Sequence, residues 1–236
     1  MIELIENYWL YFLIGQFPDG PLGGLTLTLL LGVVALLLAL PLGVVLGLAR
    51  ASHRRALRWP VGALVYLVRG TPLLMVIFWA YFFLPAVTGH ETSQFTTMLA
   101  ALVVFNGAYL AEIVRAGIQG IPSGQTECAR ALGLSYWQTM RAVVLPQALR
   151  NMLPSLVGQL VTTLKETSLG YIIGLSEVSF IASQINAQVI TQPVQVYSTL
   201  ALTYFVLCFG LSRTARALEL RLSRRPGGSL VQVPAQ

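Results

Sequence analysis

Charged residues are scarce in this chain: of its 236 residues, 10% are charged and 56% are hydrophobic. Soluble domains carry about 25% charged residues, whereas this chain combines its low charge with a mean hydropathy of +0.72. The composition therefore excludes an ordinary soluble domain and predicts an integral membrane protein.

Motifs for metal binding and catalysis are also missing. The chain has two cysteines, Cys128 and Cys208, and two histidines, His53 and His90, and these four residues form no zinc-type cluster. We expect both thiols to be free, because neither is placed in an oxidising compartment. No HExxH motif occurs, and no Gly-x-Ser-x-Gly turn has a partner histidine in a span. We therefore predict no metal site and no catalytic residue, which argues against an intramembrane protease.

A nucleotide-binding motif is missing as well. The only lysine, Lys165, does not stand in a GxxxxGK[ST] phosphate loop, and no Rossmann glycine pattern follows a strand. We predict that the chain binds no cofactor of its own. The free energy for any pumping then has to come from a partner protein or from an ion gradient.

Long apolar segments are what the sequence does contain. A membrane-spanning helix takes about 20 mostly apolar residues, and five segments are long enough. We predict an all-α integral membrane fold with five transmembrane helices, at 25–48, 70–89, 92–111, 153–176 and within 194–212. The fourth is less apolar than the others, because it contains Lys165 and Glu166.

The two ends of the chain differ from this central part. Residues 1–18 are short, amphipathic and aromatic, which is typical of an interfacial helix. We assign residues 19–222 to one transmembrane domain. Residues 226–236 have the sequence PGGSLVQVPAQ. We predict a disordered cytoplasmic tail at residues 223–236.

The arginines indicate the orientation of the predicted helices in the membrane. All of them lie at 50–69, at 115–150 or at 213–225, and these three regions fall on one side of a five-span topology. By the positive-inside rule this side is cytoplasmic, which leaves the N-terminus outside and the C-terminus inside. Because the basic residues are spread over segments that flank spans, we expect no nucleic-acid binding.

The polar segment between predicted spans three and four has a distinct local pattern. Residues 125–132 predict a short helix, which Gly133 interrupts as a C-cap or tight turn. Ser135 is placed to cap a second helix, and we expect Leu145 and Pro146 to end it. Two interpretations are open from the pattern alone: an amphipathic helix lying on the membrane, or a helix–glycine–helix unit that seats in a groove of another protein.

The segment ECARALGLSYWQTMRAVVLP resembles the cytoplasmic signature of ABC importer permeases, which runs Glu-Ala-Ala, glycine, and then an apolar-Leu-Pro ending. Cys128 stands where alanine is usual. The matching residues are Glu127, Ala129, Gly133, Leu145 and Pro146. Four further stretches, VRGTPLL, GAYLAEIVRAGIQGIPSGQ, LPQALRNMLPSL and LKETSL, resemble the polar amino-acid uptake subfamily of these permeases.

The resemblance implies the transmembrane permease subunit of an ATP-driven ABC importer for polar amino acids, in the bacterial inner membrane. It implies membrane lipid and three protein partners: a second permease subunit, the same or homologous, an ABC ATPase dimer that binds ATP and Mg, and an extracytoplasmic amino-acid-binding protein. The loop 125–146 is then the coupling region that docks on the ATPase. The residues implied in coupling are Gln125, Glu127, Cys128, Ala129, Arg130, Gly133, Leu145 and Pro146.

Candidate pathway residues lie next to the charges in the fourth span. A charge at the bilayer centre costs about 2.5–3.5 kcal/mol on insertion scales, so Lys165 and Glu166 require a function or a partner. Together with the hydroxyls of Thr167 and Ser168, they are suited to the ammonium and carboxylate of an amino acid. A structural role for the pair is equally open. An alternative function is a gradient-driven secondary transporter or channel in which Lys165 and Glu166 relay an ion.

A helix break provides a second set of candidate pathway residues. Thr71 and Pro72 have the pattern of an N-cap and a first helical residue, so Gly70 marks a break before the second span. Residues 59–69 then form an earlier half-helix. The break lies either beside the pathway or simply at a helix start near the interface.

Two weaker patterns suggest contacts between helices. Asn106, Tyr109, Glu112 and Arg115 recur at three-residue intervals, which predicts a polar stripe that joins helices and a pair between its last two members. The pairs 43/47 and 170/174 are glycines with the small-residue spacing of packed membrane helices, a weak signal.

Overall fold

The computed structural model of this chain describes residues 2–52 and 54–223. His53 and the predicted tail, apart from Ser223, lie outside the described residues. The described residues are almost entirely helical and contain no β-strand beyond isolated bridges. The helices are α1 (Ile2–Ile14), α2 (Gly24–Ala51), α3 (Arg55–Gly70), α4 (Leu73–Thr88), α5 (Gln94–Gln119), α6 (Ser123–Ala131), α7 (Tyr136–Thr139), a π-helix (Met140–Val144), α8 (Leu145–Glu166), a 3-10 helix (Thr167–Ile173), α9 (Val178–Gln188) and α10 (Pro193–Ser223).

The predicted all-α class is confirmed, while the count of five spans is not. Within the described residues, three helices are long and apolar enough to cross a membrane, namely α2, α5 and the 193–220 part of α10. A fourth span results if α3 and α4, which are bent by 101° at their junction, are counted as one broken span. α8 is not among them; it carries Arg150, Lys165 and Glu166 among its 22 residues.

α5 occupies the centre of the molecule, where it packs against α2, α3, α4 and α8. Its contact with α2 is close because two glycines of α2 face it. A Cβ atom at Gly43 would lie 2.4 Å from the Cβ atom of Leu110, and one at Gly47 would lie 2.6 Å from that of Val114. Small residues let helix backbones approach in this way. The 43/47 spacing is therefore a packing site.

The 170/174 spacing has a different basis. Gly174 adopts φ +78° and ends the 3-10 helix, so its lack of a side chain serves a turn. A Cβ atom at Gly170 would lie 3.0 Å from a terminal methyl group of Leu175, a close contact within the same turn. Both glycines also face α5, because a Cβ atom at Gly174 would lie 3.0 Å from Nε2 of Gln94 and one at Gly170 would lie 3.6 Å from Cγ of Met98. The second glycine pair therefore serves both a turn and a contact with α5.

The break at Gly70 and the preceding half-helix are confirmed, but the predicted cap is wrong. Thr71 follows the last residue of α3, and its hydroxyl donates to the carbonyl of Leu67 at 2.9 Å. Pro72 is extended, and α4 begins one residue later, at Leu73. The reason is that proline disfavours the helical conformation in the residue before it, so Thr71 takes ψ 135° and the chain turns.

The prediction that Leu145 and Pro146 end a helix is also wrong. The chain runs from α7 through the π-helix into α8, and Pro146 is the second residue of α8. Proline is tolerated there because the i→i−4 hydrogen-bond ladder is already interrupted, since the backbone N–H of Leu145 donates to the carbonyl of Met140, five residues back. The widened π turn before it, Met140–Val144, provides the change of pitch that joins the two helices.

Two boundaries differ as well. α5 continues to Gln119, well past the predicted end at residue 111. Residues 177–193 separate the fourth and fifth predicted spans, which implies a loop, but they contain a helix, α9. Glu177 caps it, accepting hydrogen bonds from the backbone N–H groups of Ser179 at 2.9 Å and Phe180 at 3.0 Å. This cap and the apolar spacing of the residues that follow were available signals for a helix.

The first helix packs at the end of the molecule formed by α9. Phe12 is buried in a cluster with Val178, Ile181, Ile185 and Val196. Trp9, Leu10 and Leu13 of the same helix face outward, and Trp9 is 56% exposed. A helix in the segment 1–18 is thus confirmed, and its interfacial position remains a prediction.

Candidate functional site

The predicted coupling region contains two short helices, α6 and α7, whose residues are mostly exposed. α6 ends at a turn in which Gly133 adopts φ +82°. Its N–H donates to the carbonyl of Arg130 at 2.9 Å, and the N–H of Leu134 donates to that of Ala129 at 3.1 Å. These bonds satisfy the last carbonyls of the helix and require a residue that tolerates positive φ. The predicted role of Gly133 as a helix stop is confirmed.

Ser135 begins the second short helix with a complete capping box. Its hydroxyl accepts from the backbone N–H of Gln138 at 3.4 Å, and the side-chain oxygen of Gln138 accepts from the backbone N–H of Ser135 at 2.8 Å. Such caps contribute about 1 kcal/mol. The turn between α6 and α7 is therefore defined at both ends, as the sequence predicted.

Large apolar side chains on this unit face outward. Leu132 is 83% exposed, Trp137 is 77% exposed and Tyr136 is 51% exposed. The rings of Tyr136 and Trp137 meet edge to face with centroids 5.6 Å apart. An exposed cluster of this kind is typical of an interaction surface, and its tryptophan and tyrosine are the residues that most often dominate binding energy.

The predicted coupling residues divide into outward and inward groups. Ala129 is buried, and Leu145 is half-buried, so neither presents its side chain freely to a partner. The exposed ones are Gln125, Glu127, Cys128, Arg130, Gly133 and Pro146. The exposed aromatic pair beside them is an addition that sequence reasoning missed, although two adjacent aromatic residues in a polar segment are a detectable signal.

An ionic cluster lies at the same end of the molecule, inside the helix bundle. Glu112 of α5 forms ion pairs with Arg50 of α2 at 3.2 Å and with Arg69 of α3 at 3.9 Å. It also accepts from Nε of Arg115 at 2.9 Å, which confirms the predicted pair within α5. The partners on α2 and α3 were not predicted, because no local pattern connects residues so far apart in sequence.

Two arginines of this cluster also lie over aromatic rings. The guanidinium carbon of Arg50 is 4.7 Å from the ring centroid of Tyr66, and that of Arg69 is 5.0 Å from the centroid of Tyr109. Such contacts contribute about 0.5–2 kcal/mol, depending on desolvation. The cluster therefore holds the ends of α2, α3 and α5 in one arrangement.

A buried hydrogen-bond network joins α5 to α8. The side-chain oxygen of Asn106 accepts from Nε2 of Gln159 at 2.7 Å and from the hydroxyl of Thr163 at 2.6 Å. The Asn106 amide group donates to the carbonyl of Leu102 at 2.9 Å. The predicted role of the polar stripe in joining helices is confirmed for three of its residues, Asn106, Tyr109 and Glu112, which contact other helices. Arg115 pairs with Glu112 within α5.

Lys165 and Glu166 point in different directions. Lys165 is exposed and Glu166 is half-buried, and no ion pair joins them in the described part of the chain. Thr167 is buried and its hydroxyl donates to the carbonyl of Leu164, while the Ser168 hydroxyl donates to that of Lys165. Both hydroxyls are therefore already engaged in ending α8 and beginning the 3-10 helix.

The two sets of candidate pathway residues lie on different elements. Gly70, Thr71 and Pro72 form the bend between α3 and α4, whereas the charged pair ends α8. A cleft of about 360 Å³ lies between α5 and α8 and is lined by residues of both charge signs and by amides. The polar residues around it are Arg69, Tyr109, Glu112, Asn151, Ser155 and Gln159.

Comparison with known proteins assigns the chain to a family. The family model described as "Binding-protein-dependent transport system inner membrane component" matches residues 39–224. The inner membrane amino-acid ABC transporter permease protein YhdY of Escherichia coli K12 is 36% identical over 224 residues, and the match covers 92% of this chain and 61% of that protein. This chain therefore spans less than two thirds of YhdY.

Shorter relatives are covered over most of their length. The probable glutamine ABC transporter permease protein GlnP of Bacillus subtilis is 37% identical, with 84% of this chain and 91% of that protein covered. The glutamate transport system permease protein GluD of Corynebacterium glutamicum is 37% identical, with 99% and 87% covered.

Solved structures share the arrangement of helices. A chain of an amino acid ABC transporter crystallised with histidines superimposes with a TM-score of 0.78 at 32% identity, covering 84% of this chain and 92% of that one. A chain of the methionine transporter MetNI has a TM-score of 0.63 at 24% identity, which supports the fold alone.

Proposed function

Because the chain belongs to the family of binding-protein-dependent transport system inner membrane components, we propose that it forms the translocation pathway of an ATP-driven importer for polar amino acids. It is a multi-pass protein of the bacterial inner membrane and a permease subunit of an ABC importer. The substrates in the names of relatives, glutamine and glutamate among them, support the polar amino-acid class.

The proposed topology has five spans. α2, the broken pair of α3 and α4, α5, α8 and α10 each cross the membrane, and α6 with α7 lies on the cytoplasmic side. The positive-inside rule supports this orientation, because the exposed arginines of α6 to α8 and the cluster around Glu112 lie at one end. α8 is polar for a span, but the Gln159 amide and the Thr163 hydroxyl both donate to Asn106 of α5, which lowers the cost of burying these two groups in the bilayer.

The proposed coupling surface is the exposed face of α6, the Gly133 turn and α7. The single observation that carries this proposal is the outward exposure of Leu132, Tyr136 and Trp137 on a turn that is rigidly capped on both sides. A rigid unit transmits force better than a mobile loop, and an apolar face of this kind is stabilised when a partner covers it. The partner is a dimer of ABC ATPase subunits, which bind the ATP and Mg.

Two further partners complete the proposed assembly. A second permease subunit, the same chain or a homologue, pairs with this one around the pathway, and an extracytoplasmic binding protein delivers the amino acid. The cleft between α5 and α8 presents both charge signs to a zwitterion, through Arg69 and Glu112. The exposed Lys165 offers a second positive charge to the carboxylate of the amino acid. The alternative of a gradient-driven transporter has no support among the relatives, which are ABC transporter permeases.

The test of coupling uses Trp137→Ala in the full chain, coexpressed with its ATPase. A central aromatic anchor contributes about 2 kcal/mol or more to binding, so we expect ATPase association to weaken at least about 30-fold and stimulated ATP hydrolysis to fall with it. Association is measured by copurification and titration, and coupled uptake in proteoliposomes that contain the binding protein.

The matched control is Trp9→Ala, which removes a similarly exposed tryptophan from α1, at the other end of the chain. It should leave ATPase association unchanged. Equal ATPase affinity for the two variants would contradict the coupling surface. Uptake by the permease alone, in liposomes without ATP, would contradict the importer itself.

A further inference from the structure

A second cavity of about 390 Å³ lies where the end of α2 meets α3 and the end of α5. Three arginines line it, Arg50, Arg58 and Arg115, together with the aromatic side chains of Trp59 and Tyr66. It is separate from the coupling surface and from the cleft between α5 and α8. Neither of those proposed sites uses Arg58 or Trp59.

The most buried of these arginines has an unused donor. The side chain of Arg50 is only 7% exposed, and its Nη2 atom is paired with Glu112. Its Nη1 atom is buried and has no hydrogen-bond partner among residues 2–52 and 54–223. A buried donor without an acceptor is unfavourable, because it has lost its hydrogen bonds to water and gained none in the protein. An acceptor that enters the cavity would remove this cost.

The charges around the cavity are unbalanced. Glu112 is the one carboxylate paired with an arginine in the described part of the chain, and it is shared by Arg50, Arg69 and Arg115. Arg58 forms no ion pair there. Arg50 and Arg115, which line the cavity, therefore share one carboxylate with Arg69, which does not line it. Arg58 adds a further positive charge, and this excess of positive charge favours an anionic ligand.

The surroundings indicate where such an anion would come from. Trp59 is 73% exposed and Tyr66 is 63% exposed, and tryptophan and tyrosine are enriched where membrane meets water. Basic pockets between helices at the cytoplasmic face bind the head groups of anionic lipids. We propose that this cavity binds the phosphate of an anionic phospholipid, with its acyl chains along the exposed apolar face of α3.

Gly62 provides the room for this ligand. It is buried in α3 and lines the cavity, yet a Cβ atom there would have no other heavy atom within 4 Å. A larger side chain at this position would project into the empty space. The site is thus a shaped cavity as well as a positive patch, and shape and charge can be tested separately.

The experiment uses the full chain assembled with its ATPase in phosphatidylcholine nanodiscs, with and without phosphatidylglycerol. Native mass spectrometry counts the lipids retained per permease chain and gives the apparent Kd. Loss of one interfacial arginine weakens binding of an anionic lipid about 5-fold, so we expect that change in Arg58→Gln. Arg55→Gln is the matched control, because Arg55 is equally exposed nearby and does not line the cavity.

A second variant tests the shape of the cavity. Gly62→Leu keeps every charge and should release the bound phosphatidylglycerol, whereas Ala56→Leu, which adds bulk outside the cavity, should retain it. Equal retention in Gly62→Leu and Ala56→Leu would overturn the proposal, as would equal affinity in Arg58→Gln and Arg55→Gln.

Inorganic phosphate, added to phosphatidylcholine nanodiscs, distinguishes a lipid phosphate from a free phosphate. Binding of inorganic phosphate that depends on Arg58, without any binding of phosphatidylglycerol, would overturn the lipid assignment. These outcomes do not depend on coupling or on uptake.

Discussion

At the scale of single residues, Glu112 holds together the arginine-rich end of the molecule. Its carboxylate pairs with arginines from α2, α3 and α5, one of which is nearly fully buried. The pair with Arg115 was predictable from a three-residue spacing. The pairs with Arg50 and Arg69 depend on how the three helices meet, and no property of the local sequence reveals them.

Replacing Glu112 with glutamine should lower the free energy of unfolding by about 3 kcal/mol, because buried Arg50 loses its counter-charge while the side-chain volume stays the same. Chemical unfolding of the purified chain in detergent measures the change. Glu91→Gln removes a carboxylate from an exposed loop and should stay within about 0.5 kcal/mol of the natural chain. Equal stability of the two variants would show that the cluster does not stabilise the bundle.

Asn106 provides a second prediction at this scale. Asn106→Leu removes the acceptor of Gln159 and should cost about 1–2 kcal/mol, because a buried amide donor is left unpaired. Adding Gln159→Leu removes the stranded donor and should restore at least part of that stability. Unfolding of both variants measures the coupling between the two positions. A double variant less stable than Asn106→Leu would contradict this explanation.

At the scale of helices, local signals succeeded where a cap or a turn acts within a few residues. The Gly133 turn and the Ser135 cap formed as predicted, since both depend on backbone geometry that neighbouring residues determine. The signals at Pro72 and Pro146 were misinterpreted. A proline shows that one backbone N–H cannot donate to the helix, but this alone does not determine the path of the chain. The chain bends at Pro72, before α4, and continues through Pro146 into α8.

The contact between α2 and α5 gives a prediction for this scale. Gly43→Ala places a Cβ atom 2.4 Å from the Cβ atom of Leu110, a position that no rotamer change relieves. The helices must move apart, and we expect a loss of about 1–3 kcal/mol in unfolding free energy. Gly210→Ala makes the same change on α10 in open space and should not destabilise the chain. Unchanged stability of Gly43→Ala would show that the two helices are not packed this closely.

At the scale of the whole molecule, the natural cysteines report the orientation in the membrane. Cys128 is exposed on α6, and Cys208 is buried in α10. We expect a membrane-impermeant maleimide to label Cys128 in inside-out vesicles and not in intact cells, because the proposed topology places the arginine-rich end in the cytoplasm. Cys128→Ala is the control for residual labelling of Cys208. Labelling of Cys128 from outside intact cells would reverse the topology.

The same thiol tests the assembly. If the ATPase covers α6 and α7, labelling of Cys128 in inside-out vesicles should slow when the ATPase is bound and recover when it is stripped from the membrane. Mass spectrometry of the labelled chain measures both rates. Identical rates with and without the ATPase would contradict docking at this surface.

The sequence by itself determined the class of the protein, its all-helical fold and the segment that carries the family signature. Apolar length, the one-sided placement of arginine, and the glycine and serine of the α6–α7 turn are local properties, and local physics acts on them in any fold. The match of 125–146 to a family signature needed no coordinates. α9 was missed even though its Glu177 cap is a local signal, because the segment was taken for a loop between spans.

The tertiary structure decided which polar groups meet. Arg50 and Glu112 lie 62 residues apart in sequence and 3.2 Å apart in space, and Asn106 and Gln159 are 53 residues apart and hydrogen-bonded. The cavity beside Arg58 arises in the same way, where α2, α3 and α5 meet. Such contacts depend on the close packing of α2, α3 and α8 around α5, and packing is a property of surfaces that meet only after the chain has folded.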